Sequence, residues 1–274
     1  MCTIAILVDV AEAPLMIAAN RDELYARPTR APELLVPGIA GGVDELSGGT
    51  WLAISARGRF AAVTNQRVME APPVGLRSRG LAVRELAMAG DPDAYANAID
   101  PARYASMNLV WGDASGARVG YFRRESGERE IVRLGKGVHV LCNDRIGAPG
   151  FPRGERLAQL IDAALARSTK LAELVPMLEH ALADRDRSEP ADVPASRFPQ
   201  QVARELTAIC IHTPSYGTRS ATVAAFDHPG SHSAGHDHPG SRSAGHDHPG
   251  VIVYDHADGP PDQTPFLDCR GVFG

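Results

Sequence analysis

Aromatic side chains are scarce in this 274-residue chain, where Phe, Tyr and Trp together make up 5%. A core built from such material must rest on Ala, Val, Leu and Ile. Apolar residues, at 44%, are still numerous enough for one, and charged residues, at 22%, are near ordinary globular usage. No apolar run approaches the roughly 18–20 residues of a spanning helix, so no integral membrane segment is expected. There is no sustained basic stripe, and the net charge is −5. That balance carries no electrostatic footprint for nucleic acid or an anionic membrane. Residues 1–8 lack a basic leading region and Asp9 cuts their apolar run short, so a secretory signal is not expected. The cysteines Cys2, Cys142, Cys210 and Cys269 include no CxxC pair, so neither a zinc clip nor a thioredoxin-like motif is legible. Four free thiols and no leader fit a reducing, cytoplasmic setting. Gly48-Gly49-Thr50-Trp51 matches neither GxGxxG nor a P-loop. No cofactor is expected.

The apolar runs that are present are short. Residues 3–8 and 15–20 flank the polar break 9–14 and read as a hairpin. Residues 27–49, rich in Pro and Gly, read as loop. Residues 51–55 and 60–64 form a second hairpin around Arg57-Gly58. Helical spacing covers 78–89, and Asp91-Pro92 opens another short helix. Strands follow at 107–111, 119–123, 131–134 and 138–142, then helices at 155–166 and 171–183. Residues 185–200 read as a surface loop, and 205–211, 218–226 and 251–254 as strands. Strands and helices come in blocks rather than in strict alternation, which favours an α+β layered fold with an antiparallel sheet component.

A decapeptide repeat interrupts the last block. Residues 227–236 recur at 237–246, and the opening Asp-His-Pro-Gly returns at 247–250. Gly, Pro, Ser and Ala dominate it, so it cannot bury a core of its own. The plainest reading is a single domain over 1–274 whose hairpin tip, 227–250, has grown by duplication. The repeat holds His228, His232, His236, His238, His246 and His248. Such histidines bind metal adventitiously, but a Gly/Ser-rich loop supplies no fixed geometry or outer shell, so no functional metal site is assigned.

Chemistry concentrates at the N-terminus. Methionine removal is expected when the second residue is small, and it would leave Cys2 with a thiol beside a free α-amine. That amine, with a pKa of about 7.7–8.0, accepts a proton near neutral pH, so one residue would hold both nucleophile and base. Position alone favours the plainer reading, a small buried residue at the start of a strand. Asn20-Arg21-Asp22-Glu23 ends the return strand of the first hairpin and so lies near Cys2. On an extended chain Arg21 and Asp22 point to opposite faces, so without a kink one of them faces the thiol. Asn65 and Asn143 each follow a strand; such an Asn is either a turn residue or an oxyanion donor. Arg219 lies in the polar island Tyr216-Gly217-Thr218-Arg219-Ser220.

Taken in order, Met1-Cys2, Asn20-Arg21-Asp22-Glu23, Gly48-Gly49-Thr50-Trp51-Leu52, Thr64-Asn65, Ser78-Arg79-Gly80, Leu141-Cys142-Asn143 and Tyr216-Gly217-Thr218-Arg219 resemble the NRDE family, also called the transport and Golgi organisation protein 2 family. The resemblance implies a four-layer αββα Ntn-hydrolase-like sandwich with two mainly antiparallel sheets. It also implies kinship with choloylglycine hydrolases and penicillin V acylases, which cleave amide bonds with an N-terminal Cys. By order along the chain it points to Cys2, Arg21, Asp22, Asn65, Asn143 and Arg219 as the site, although Arg21 and Asp22 are adjacent here and separated in that group. The expected activity is hydrolysis of a carbon–nitrogen bond in a small acyl or amide substrate. The second expectation, from the family's eukaryotic members, is a non-catalytic carrier or trafficking protein that binds haem or an acyl or lipid metabolite.

Overall fold

The computed structural model describes residues 2–67, 73–196, 198–228 and 250–274. The first hairpin pairs β1 (Cys2–Val8) with β2 (Leu15–Leu24) in antiparallel register. Its connection turns at Asp9, with φ 54°, and the Asp9 N–H donates to the Pro14 carbonyl at 2.9 Å. Aspartate tolerates this left-handed conformation better than most residues. The strands continue as β3 (Thr29–Val36), β4 (Ile39–Asp44), β5 (Leu52–Ser55), β6 (Arg59–Asn65), β7 (Met107–Asp113), β8 (Gly116–Arg123), β9 (Glu128–Arg133), β10 (Gly137–Leu141), β11 (Tyr216–Phe226), β12 (Val251–Ala257) and β13 (Leu267–Asp268). The helices are α1 (Arg79–Met88), α2 (Pro92–Ala98), α3 (Pro152–Arg167), α4 (Leu171–Leu182) and α5 (Gln200–Glu205).

The strands form two sheets, in the orders β10-β1-β2-β11-β12-β13 and β3-β4-β5-β6-β7-β8-β9. All the pairings within them are antiparallel. Period-two alternation sorts their side chains into layers. Ile4, Ile6, Leu15 and Ile17 meet Leu52, Ile54, Phe60 and Val110 of the other sheet. Ala5, Leu7, Met16 and Ala18 face away, against Leu157, Ile161, Leu174 and Leu178 of α3 and α4. On the far side Ala61, Val63 and Leu109 pack on Val83 and Leu86 of α1. The result is the α+β, αββα order expected from the resemblance. Each fully buried Leu, Ile, Val or Phe contributes about 1.5–3 kcal/mol, so these three apolar layers, more than any polar contact, hold the molecule together. None of the helices formed by the described residues is long and apolar enough to cross a membrane.

Two sequence expectations need correcting. Residues 27–49 contain the strands β3 and β4 instead of a loop. β3 is an edge strand with Pro32, two register shifts and mixed exposure, and such edges lose the alternation that marks interior strands. Residues 205–211 end α5 and then run as a buried turn instead of a strand. They are apolar because Ala208, Ile209 and Ile211 are buried. Their backbone is satisfied partly by a side chain: Asn20 Nδ2 donates to the Ile209 carbonyl at 3.0 Å and to the Leu182 carbonyl at 2.9 Å. The strands on either side of the repeat pair with each other, Phe226 opposite Val251, and the Asp227 N–H reaches the Gly250 carbonyl at 3.1 Å. The repeat from 229 to 249 lies outside the described residues, as does Met1, on whose removal the nucleophile reading depends.

Candidate active site

Cys2 opens β1 directly opposite Arg21 on β2. Cross-strand partners share a face, here the one that continues into Ile4 and Ala19 of the inter-sheet core. Arg21 is therefore the residue of the Arg21-Asp22 pair that faces the thiol. Both line a cleft of about 270 Å³ whose walls come from the two sheets and the start of α1.

Asp22 points to the helical side. Its Oδ1 accepts from Thr218 Oγ1 at 2.7 Å, and its Oδ2 lies 3.9 Å from Arg153 Nη1 of α3, both side chains almost fully buried. Burial pushes the Asp22 carboxyl above its ordinary range, and Arg153 opposes that shift. Sequence reading missed Arg153. A basic residue in the first turn of a helix has the wrong sign for the helix dipole, but that local feature does not say which group it meets.

Asn65 ends β6 and lines the cleft. Asn143 is buried behind it; its Nδ2 donates to the Asn65 carbonyl at 2.9 Å and its Oδ1 accepts from Arg153 Nη2 at 2.6 Å. Asn143 thus braces Asn65 and ties it to the Asp22–Arg153 pair. Arg219 sits at a bulge, since Thr218 pairs with Asp22 and Ser220 with Arg21. The extra residue re-aims the side chain. Its Nη1 donates to the carbonyls of Leu24, Tyr25 and Arg27 at 2.9–3.0 Å, holding the chain that leaves β2.

Arginines dominate the cleft, and they differ in how far they are neutralised. Arg27 makes a two-pronged contact with Asp44 at 3.0 and 2.6 Å. Arg30 bonds Glu33 and Glu45. Arg77 bonds Glu85 and Tyr104. Arg21 and Arg79 are the exceptions: among the described residues neither guanidinium has a hydrogen-bond or ion-pair partner. Arg21 is nevertheless only 7% exposed. Burial pulls both guanidinium pKa values down, while the nearby Cys2 sulfur favours both charges. Arg79 stands at the N-terminus of α1, where no acidic residue occupies the first turn and Ser78 makes no side-chain cap. The positive end of that helix therefore adds to the field in the cleft.

Two glycine motifs bring Arg79 there. A Cβ on Gly49 would lie 2.4 Å from the Gly80 carbonyl carbon, and the Thr50 N–H donates to the Gly80 carbonyl at 3.2 Å. The loop before β5 and the start of α1 thus meet backbone to backbone. Gly49→Ala cannot be relieved by a rotamer change and is expected to cost about 1–3 kcal/mol. A lowered thermal midpoint together with slower acylation of Cys2 would register both the strain and the retreat of Arg79.

His256 lines the same cleft, with Nδ1 2.9 Å from Thr222 Oγ1, and burial pushes its pKa down to about 4. The folded state then binds its proton less readily than the unfolded chain, whose histidine titrates near 6.5. The stability from keeping His256 neutral is intact above about pH 6.5 and is lost as pH falls through about 4, a loss of about 3 kcal/mol. Denaturant titrations across that window should show this loss in the wild type and a flatter profile in His256→Gln.

The model of the family described as Transport and Golgi organisation 2 matches residues 1–234. The chain belongs to that family. Transport and Golgi organization protein 2 homologs of Bos taurus and Homo sapiens are each 30% identical to it, over 234 and 238 residues, covering 79% of this chain and 83% of theirs. Among solved structures, a cysteine-to-alanine mutant of the conjugated bile acid hydrolase from Clostridium perfringens aligns over 100% of this chain and 94% of its own, with a TM-score of 0.52 and 12% identity. An arginine-to-leucine variant of the same hydrolase gives a TM-score of 0.51 at 12% identity. At that identity the likeness establishes a shared Ntn-hydrolase fold. In this member of the Transport and Golgi organisation 2 family, the motifs spread over the sequence meet around one cleft.

Proposed function

We infer that this chain is an N-terminal-nucleophile hydrolase that cleaves a carbon–nitrogen bond in a substrate carrying an anionic group. The observation that carries this reading is Cys2 at the first position of β1, in the cleft and facing Arg21. In the reaction the Cys2 sulfur bonds to the acyl carbon, and its own α-amine accepts the thiol proton and hands it to the leaving nitrogen. Water then attacks the thioester, the amine takes a proton from it, and the thiol is restored as the acid departs. Asn65, braced by Asn143, faces the developing oxyanion. Arg21 and Arg79, the cleft cations that among the described residues meet neither a carboxylate nor a carbonyl, favour an anion on the substrate. The like-folded bile acid hydrolase, a variant in which alanine replaces the cysteine at its second residue, supports the choice of nucleophile.

Two measurements test this. Intact mass should show Met1 absent, and an electrophilic acyl probe should label wild type at Cys2 and leave Cys2→Ala unlabelled. Retained Met1, or unchanged labelling in Cys2→Ala, would sink the proposal. For the charge preference, Arg21→Gln should slow labelling by a carboxylate-bearing probe at least about tenfold more than labelling by its neutral analogue. Equal effects on the two probes would remove the anion requirement.

A further inference from the structure

Away from the cleft, Cys210, His212 and Asp262 direct one ligand atom each toward a common point. Cys210 Sγ is 3.6 Å from His212 Nε2 and 3.2 Å from Asp262 Oδ1, and Nε2 and Oδ1 are 2.9 Å apart. None of the three lines the Cys2 cleft. We propose that this triangle is a zinc site that fastens the turn carrying Asp262 to the segment leading into β11.

The arrangement suits a ligand set better than a proton relay. A Cys–His–Asp relay uses both ring nitrogens, one toward the thiol and one toward the carboxylate. Here the same nitrogen, Nε2, faces both. Nδ1 is turned instead toward the Gln263 side-chain amide, whose Nε2 lies 3.5 Å away; with zinc on the imidazole Nε2 the ring proton sits on Nδ1, and the Gln263 amide turns its oxygen there to accept it. Cys210 and His212 are two residues apart, and both side chains reach the same Asp262 oxygen, Oδ1. Bond lengths of about 2.3 Å to sulfur and about 2.0–2.1 Å to nitrogen and oxygen give tetrahedral edges of about 3.4–3.6 Å. The Sγ–Nε2 edge already has that length, and the other two need opening by a few tenths of an ångström or about half an ångström.

The donor types narrow the metal. A thiolate disfavours calcium and magnesium, whereas one sulfur, one imidazole and one carboxylate suit zinc. Binding requires the Cys210 thiol to give its proton to solvent, and three protein ligands leave one position for water. The other charged group at the site is Arg185, whose Nη1 lies 3.5 Å from Asp262 Oδ2 and whose Nη2 lies 3.7 Å from Glu205. It holds the outer oxygen of Asp262 and leaves Oδ1 to the metal.

The location gives the site a structural consequence. Ile211, between Cys210 and His212, donates its N–H to Thr218 Oγ1 at 2.9 Å, and that hydroxyl donates to Asp22 at 2.7 Å. A metal at Cys210 would thus steady the residues that hold Asp22 in place. None of this depends on hydrolysis by Cys2.

Cobalt(II) titration of the full-length protein provides the test, because a thiolate-to-cobalt charge-transfer band distinguishes a cysteine site from the histidines of the repeat. One equivalent should produce the band in wild type and in Cys2→Ala, and Cys210→Ser should lack it. His212→Gln and Asp262→Asn, which leave the buried cysteine in place, should weaken cobalt binding at least about tenfold. Zinc should raise the thermal midpoint of wild type and leave that of His212→Gln unmoved. No band in wild type, a band that survives in Cys210→Ser, or one lost in Cys2→Ala would overturn the site. So would equal zinc shifts in wild type and His212→Gln.

Discussion

A form of the protein that keeps Met1 in peptide linkage to Cys2 is expected to acylate about 10²–10⁴-fold more slowly than the trimmed form, the usual range for losing a positioned base. The expectation follows from the state of the thiol. Burial pushes the Cys2 thiol up, and the Asp22 carboxylate adds to that; Arg21 and a hydrogen bond from the Asp22 backbone pull the other way without reversing it. A free cysteine is only about a few per cent thiolate at pH 7, so a half-buried one with a raised pKa needs a proton acceptor. The neighbouring side chains make poor ones. The pKa of His256 is depressed to about 4 and its Nδ1 is engaged by Thr222. Asp22 is held by Thr218 and Arg153. The α-amine that Met1 removal frees, titrating at about 7.7–8.0, remains. Release of Cys2 from a cleavable leader, set beside a form with an untrimmable residue before it, gives the comparison. Single-turnover labelling should separate the two forms while their thermal midpoints agree. Equal labelling rates would take the amine out of the mechanism even if Cys2→Ala stays silent.

The parts of this site that sequence reading reached are those governed by alternation along one hairpin. A thiol at position 2 and a return strand ending in Asn20-Arg21-Asp22-Glu23 bring Cys2 and Arg21 together, and the opposite faces of Arg21 and Asp22 follow from the pleat. What lay beyond reach depends on how separate layers dock. Arg153 meets Asp22 through the packing of α3 on the sheet, which no local pattern encodes. Gly49 reads as a loop residue and Gly80 as part of a helix until their backbones are seen to touch. Cys210 falls at the end of the stretch 205–211 that reads as a strand, and no motif marks His212. Their partner Asp262 lies on a turn about fifty residues further on, beyond the repeat. The loss of alternation in β3 likewise follows from its place at the sheet edge, a property of the assembled sheet.

Arg153→Met is expected to lose about 3–5 kcal/mol of stability near neutral pH, the usual cost of leaving a buried charge without its partner. Methionine roughly fills the space but removes the cation 3.9 Å from Asp22 and the donor to Asn143. The pH dependence identifies the cause. Asp22 already titrates above its ordinary range because it is buried, with Arg153 opposing the shift; without Arg153 its pKa moves higher still. A carboxyl whose folded pKa is raised binds protons more tightly folded than unfolded. The variant therefore loses stability as pH rises from the ordinary carboxylate range through that raised value, and recovers it on acidification. The gap between wild type and Arg153→Met should accordingly narrow from pH 7.5 to pH 4.5, measured by urea unfolding at both. The gap between the proteins is the quantity to follow, because the His256 loss is common to both. Asp22→Asn strands the other partner, and arginine cannot neutralise by releasing a proton, so its penalty should not relax in the same way. Combining the two changes removes both charges, and the double variant should be more stable than the sum of the single losses implies. Additive losses, or a gap that ignores pH, would mean that Arg153 acts through packing and its bond to Asn143 alone. If the coupling is found, Asp22 and Arg153 act as one charged unit on the helical side of β2, and the strand that sets Arg21 opposite Cys2 is held by charge as well as by packing.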